Sequence, residues 1–256
     1  MQIDYRLLWD KSNPIHVVTY RKRVFDSTKN RDNPKELARL TGELFDFNQG
    51  YRLAGALSVY AQIDSSRNVA DIDVCIDEDK FQEVVCIGID KGYSFCRLAQ
   101  RELREGIRTC IFEEIPAEQF LQRRPSVRAI LLNRDVQGRY QPHDIVDVFV
   151  GYVDGQGLEN TYDHRLSPII PTTFPTEAML EYDRGNVRAV SLEYMAAVKA
   201  ILIEDEAIFG VGNKLYREKN EFDLENILKN LDADFSDKLK GILQERRKRR
   251  EEADYT

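Results

Sequence analysis

The chain has 256 residues, a formal net charge of −7, 42% hydrophobic residues and 32% charged residues. That length suffices for one large domain or two modest ones with a sizeable core, and the composition is that of a soluble globular protein. The acidic balance excludes a generally cationic coat for nucleic acid, and no apolar run approaches the roughly 18 residues of a membrane helix. A local basic groove, or a metal-mediated contact with phosphates, stays open. The start, MQIDYRLLWDK, lacks the basic and apolar regions of a secretory signal, so a cytoplasmic location is expected. Cys75, Cys86, Cys96 and Cys110 form no CxxC pair, which favours reduced, partly buried thiols over a zinc site or a disulfide framework.

Residues 1–32 read as a polar extension with one β-like segment, His16 to Phe25, suited to an edge of the main sheet. Asn33 and Pro34 then start a helix, since Asn caps and Pro fits the first helical position. Leu37, Leu40, Leu44 and Phe45 supply its apolar face, and the helix ends near Gly50. The stretch Tyr51 to Asp77 follows and organises the rest. Its apolar run Leu53-Ala54 breaks at Gly55 into a helix-like segment, Ala56 to Ile63; a polar loop and the alternating segment Ala70 to Ile76 come next. A period of two puts Ile72, Val74 and Ile76 on one strand face and Asp71, Asp73 and Cys75 on the other. Two carboxylates on one face repel each other unless a cation sits between them, and a divalent metal suits hard oxygen ligands.

Further on, Glu78 to Lys91 reads as a helix, while Ile107 to Ile115, Arg128 to Asn133 and Ile145 to Gly151 read as strands. A proline-rich connection, Pro168 to Pro175, precedes a helical pattern over Leu192 to Glu206, about Asn213 to Leu231, and Ser236 to Glu252. The expected organisation is an N-terminal extension (1–32), a mixed α/β domain (33–167) and a C-terminal helical domain (168–256).

Asp147 lies inside the apolar run IVDVFVG, where a carboxylate is expensive unless it is paired or binds a metal. If that strand lies beside the Asp71 strand, three carboxylates converge in a set suited to two Mg²⁺ ions. The turn at Gly55 is complementary, because a strand that opens into a helix offers backbone N–H groups to phosphate.

These features resemble the nucleotidyltransferases of the DNA polymerase β superfamily, and within it the AbiEii type. That type includes toxin components of bacterial toxin–antitoxin and phage-defence systems. The resemblance rests on the turn Gly55-Ala56-Leu57-Ser58, the strand Arg67 to Val74, and two tail segments, Ser191 to Lys199 and Arg217 to Leu228. It implies an α+β fold: a polymerase β-like mixed sheet with flanking helices, followed by a helical domain. It also implies Mg²⁺-dependent transfer of a nucleoside monophosphate from an NTP such as ATP to a hydroxyl. Asp71, Asp73 and Asp147 would be the metal ligands, with Gly55, Ala56 and Ser58 near the triphosphate. Lys199 and Asp223 would be active-site residues supplied by the helical domain. An RNA acceptor, especially a tRNA 3′ end, and an antitoxin partner fit this type; a small hydroxylated molecule such as an antibiotic is the alternative acceptor. Ala56, Val69 and Asn220 depart from the usual Gly or Ser, Ser or Thr, and Asp of the type.

Plainer readings stand beside these. Asp-x-Asp alone arises often on surface strands. Lys199 reads equally as a lysine snorkelling at the edge of an apolar helix face, and Asp223 as a partner of Lys219 on its own helix. Arg67 is either a loop residue or, through its bidentate guanidinium, a phosphate ligand, and Arg217 shares that ambiguity. His143 reads as structural, and the basic run Arg246 to Arg250 as a solvated helix end before an RNA contact. The rival function is a catalytically silent nucleotidyltransferase fold that binds a nucleotide or a partner protein.

Overall fold

A computed structural model describes residues 8–10, 17–23, 34–44, 50–65, 67, 69, 72–76, 80–104, 107–114, 129–133, 145–154, 157–160, 177–182, 185–209 and 214–253. In chain order the elements are β1 (Leu8–Asp10), β2 (Val17–Arg23), α1 (Pro34–Leu44), β3 (Tyr51–Ala54), α2 (Gly55–Gln62) and β4 (Ile72–Ile76). Next come α3 (Phe81–Asp90), β5 (Tyr93–Arg104), β6 (Ile107–Glu114), β7 (Ala129–Asn133), β8 (Ile145–Asp154) and β9 (Gly157–Asn160). The hairpin β10 (Glu177–Tyr182) and β11 (Gly185–Val190) leads into α4 (Leu192–Phe209), α5 (Lys214–Leu228) and α6 (Ala233–Ala253). The strands form one mixed sheet in the order β1-β2-β6-β5-β7-β8-β4-β3-β11-β10, with β9 attached to β8. Only β4/β8 and β3/β11 pair in parallel among the described strands. The protein is therefore of the α+β class expected from its sequence.

The alternation read at Ile72 to Ile76 decides which face of the sheet meets which helices. Ile72, Val74 and Ile76 join Val146 and Val148 of β8 in a core covered by α1 and α3. Cys75 turns the other way and joins Ala54 and Val190 in a second core, built by Tyr194, Met195 and Ala197 of α4, Ile227 of α5, and Phe235 and Leu239 of α6. The carboxylate of Asp73 shares the parity of Cys75, so it belongs to the face that the C-terminal helices cover. Helix α2 is apolar on both sides for the same reason. Leu57 and Ala61 enter the first core, while Val59, Tyr60 and Ile63 enter the second.

The local start signals act where they were read. Pro34 is the first residue of α1. Ser191, not singled out as a cap from the sequence, caps α4, its Oγ accepting from the Tyr194 N–H at 3.1 Å. The β-like segment near the N-terminus is β2, and it pairs with β6. Five of the described strands, β1, β5, β9, β10 and β11, lie where the sequence pattern gave none. The long β5 contains good helix formers (RLAQREL) and is a strand because β6 and β7 pair with its two sides, a context that outweighs propensity. The hairpin β10–β11 falls in the part expected to be helical from residue 168, yet it extends the main sheet through the Ala189–Leu53 pairing with β3. Glu177 of β10 also accepts from Arg52 of β3, and Arg188 of β11 lies 3.8 Å from the same carboxylate. The helical tail thus begins at Leu192. Among the described residues Cys75, Cys86 and Cys96 are in no disulfide, and no helix is long and apolar enough to cross a membrane.

Ile76 is fully buried between β3 and β8, so Ile76→Ala should cost about 2–5 kcal/mol. Glu181→Ala on the exposed face of β10 should stay within about 0.5 kcal/mol of the unmodified protein. Urea unfolding of the two variants checks this ordering.

Candidate active site

Strand β3 passes into α2 without a side-chain cap at Ala54, and Gly55 has a φ of +58°, which L side chains rarely adopt. The reason for glycine is also spatial. A Cβ at Gly55 would lie 2.0 Å from Oδ2 of Asp73, because the antiparallel register sets Ala54 opposite Asp73. The half-buried Asp73 carboxylate therefore lies directly against the first turn of α2, where backbone N–H groups and the helix dipole favour negative charge. On its other side, the parallel pairing of β4 with β8 puts Asp147 in register with Asp73. Asp71 lies outside the described residues, and Asp147 is described at the level of its backbone. Among the described residues no group of three His, Cys, Asp or Glu could hold a metal. Ala56 is half-buried in the first turn of α2. The buried Ser58 donates its hydroxyl to the Gly55 carbonyl at 3.0 Å.

The other singled-out residues meet about five positions along α2, some 7.5 Å of helix rise from Gly55. Asp223 of α5, completely buried, is their centre. Arg67 grips it with both prongs, Nε to Oδ1 at 2.7 Å and a terminal nitrogen to Oδ2 at 2.9 Å. Lys199 of α4 reaches Oδ2 at 2.9 Å and donates to Oδ1 of Asn220 at 3.1 Å. Tyr60 of α2 donates its hydroxyl to Oδ1 at 2.6 Å, and its ring lies under the Arg67 guanidinium at 5.6 Å. Burial pushes the Asp223 carboxyl up, but Lys199, Arg67 and Lys219 outweigh it and hold the group well below the usual carboxylate range. Burial, followed by the charge of Asp223, pushes the Tyr60 phenol above its ordinary range and keeps it a donor.

The structure thus gathers the singled-out residues in two places. Gly55, Ala56, Ser58, Asp73 and the Asp147 position lie at the start of α2; Arg67, Lys199 and Asp223 lie around Tyr60. Asn220, where the resemblance led to an expected Asp, supplies Lys199 with a neutral acceptor, and Asp223 supplies the charge. Sequence reasoning passed over Tyr60, because a tyrosine within an apolar helical segment carries no signal of a partner in a distant helix. It also passed over Asn226, whose Oδ1 accepts from the Ser65 hydroxyl at 3.3 Å and so tethers the loop after α2 to α5. Arg217 is exposed and pairs with Glu221 on its own helix.

No family model matches the chain, and no curated protein matches it. Among solved structures, the chain is similar to the antibiotic-resistance factor ANT(2″)-Ia in solution. That match has 14% identity and a TM-score of 0.49, and covers 87% of this chain and 98% of that one. A crystal structure of ANT(2″)-Ia in complex with adenylyl-2″-tobramycin is similar at 13% identity and a TM-score of 0.45, with 84% and 98% covered.

Two outcomes follow from the site. Gly55→Ala should lose about 1–3 kcal/mol to backbone strain alone, with the clash against Asp73 added. Gly241→Ala, in an exposed turn of α6 with open space around it, should gain about 0.5–1 kcal/mol. Denaturant unfolding of the pair measures both signs.

For Asp223, a depressed folded-state pKa means a contribution to stability that is present above its ordinary value of 3.8 and lost as pH falls through the lower folded value. Asp223→Asn should therefore cost about 3–5 kcal/mol near neutrality, by leaving two buried cations without their counter-charge. The gap to the unmodified protein should narrow as pH is lowered below about 4, and unfolding curves across pH 3–7 test that.

Proposed function

We propose that the chain is a divalent-metal-dependent nucleotidyltransferase that moves a nucleoside monophosphate from an NTP to a hydroxyl acceptor. The observation that carries this reading is the register of β3, β4 and β8. It sets Asp73 beside Asp147 and presses the Asp73 carboxylate against a glycine turn that opens a helix. In the reaction the acceptor oxygen attacks the α-phosphorus, a new phosphoester bond forms, and the bond to the leaving pyrophosphate breaks.

Asp71, Asp73 and Asp147 would hold the metal, and their hard carboxylate oxygens fit Mg²⁺. When bound, Mg²⁺ would polarise phosphate oxygens and lower the pKa of the acceptor hydroxyl. Asp147 would also accept the proton of that hydroxyl. The first turn of α2, at Gly55 and Ala56, offers N–H groups to the triphosphate, while the side chain of Ser58 steadies that turn from within. Lys199 engages Asp223 and Asn220 and, as an ammonium with three donors, keeps one N–H for a phosphate oxygen as charge builds on the leaving group. The sequence resemblance to the AbiEii type supports RNA, in particular a tRNA 3′ end, as acceptor, within a toxin-type system with an antitoxin partner.

A silent, binding-only fold is the second reading. It draws on the engagement of the Arg67 and Lys199 cations with Asp223 rather than with open solvent. The discriminating assay supplies each labelled NTP with Mg²⁺ and offers total RNA, purified tRNA or a panel of aminoglycosides. Label transfer with pyrophosphate release is expected, together with a loss of at least about a hundredfold in Asp73→Asn and abolition by a chelator. An unmodified protein that turns over no NTP–acceptor pair would sink the enzyme reading and leave the silent one.

A further inference from the structure

We propose that Asp223 and Arg67, with Tyr60, are positioning residues. They form a lock that fixes the metal-bearing strand relative to the lysine of the helical tail, and they do not contact substrate. The inference rests on the nucleotidyltransferase reading for its catalytic consequence, and on the geometry alone for the lock itself.

The two oxygens of one carboxylate divide the contacts in a way that sets a distance. Oδ1 takes the Arg67 Nε and the Tyr60 hydroxyl; Oδ2 takes the second Arg67 nitrogen and the Lys199 ammonium. Arg67 and Lys199 therefore share a single acceptor atom. Arg67 stands four residues before Asp71 and six before Asp73, on the segment that enters β4. Lys199 stands on α4, in the part of the chain that follows the sheet. The planar fork of an arginine on a carboxylate fixes orientation as well as separation, which a lysine in the same place would not. Tyr60 adds a third anchor from α2, the helix whose first turn holds Asp73.

Burial argues for placement rather than substrate contact at two of these groups. Arg67 is 2% exposed and turns both prongs of its fork to Asp223, and Asp223 is a fully buried anion that a triphosphate would repel, so neither is placed to take one. Stability is a poor explanation for the arrangement. A buried cluster of two cations and one carboxylate generally gains little over apolar residues of similar volume, because desolvation offsets the attraction. What such a cluster supplies is one geometry. An apolar patch would let the segment around Arg67 slide over α5; a shared carboxylate does not.

The test uses mild variants, because Asp223→Ala removes the counter-charge of two cations and threatens the fold. Arg67→Lys keeps the charge and loses the fork, and Tyr60→Phe loses one anchor. In Arg67→Lys the lock predicts a kcat lower by about tenfold to a hundredfold, with KM for the nucleotide within about twofold. Amide exchange at Val69 and from Ile72 to Ile76 should quicken by about tenfold, while Leu37 and Ala38 of α1, on the sheet face away from Asp223, stay unchanged. Tyr60→Phe should move both readouts in the same direction by less. A KM raised about tenfold at unchanged kcat would instead make Arg67 a substrate contact and overturn the proposal. Unchanged exchange in Arg67→Lys would overturn it as well. If the unmodified protein proves inactive, the functional reading fails, and the exchange measurement still decides the lock.

Discussion

A carboxylate removed from water must be answered by charge, and Asp223 shows how much of a fold that requirement can recruit. Its oxygens are met from three places: Tyr60 on the helix after the first strand of the central group, Arg67 on the loop that follows, and Lys199 on the first helix of the tail. Asp223 thereby ties helix α2, Arg67 and helix α4 to its own helix α5. The aliphatic side of this packing, with Ile63, Met195, Ala197 and Ile227 in one core, supplies the gain in free energy. The ionic cluster selects which packing is reached.

The same helix joins that cluster to the carboxylates of the sheet. At its start Gly55 adopts a positive φ and leaves room for Asp73; five residues on, Tyr60 holds Asp223. Helix α2 packs into both cores, with Leu57 and Ala61 in one and Val59 and Tyr60 in the other. The strand register completes the arrangement, since Asp73 is paired to Ala54 on one side and to Asp147 on the other. A metal-dependent phosphoryl-transfer site needs carboxylates on a rigid central strand, donors at a helix start and a cation from an opposing element. The fold brings residue types suited to each of these into two neighbouring places.

The tail carries a related lesson about partners. Asn220 keeps an acceptor for Lys199 where a carboxylate was the expected residue, so the cluster retains its hydrogen bond and loses one negative charge. Two cations, Arg67 and Lys199, then meet the Asp223 carboxylate.

The features legible in the sequence were those set by neighbours along the chain. A period of two over Ile72 to Ile76 fixes a strand and its faces, Pro34 fixes a helix start, Gly55 marks a turn whose positive φ L side chains rarely adopt, and the apolar spacing after Leu192 fixes three helices. The tertiary structure alone decided which side chains meet. Helix formers in β5 became a strand through pairing on both sides, and the β10–β11 hairpin entered the sheet through β3. Arg67 and Tyr60 found Asp223 across 156 and 163 residues of chain. Local patterns are written in adjacent residues because backbone geometry repeats over two to four positions. The partner of a buried charge is not, because it depends on which surfaces the whole chain brings together.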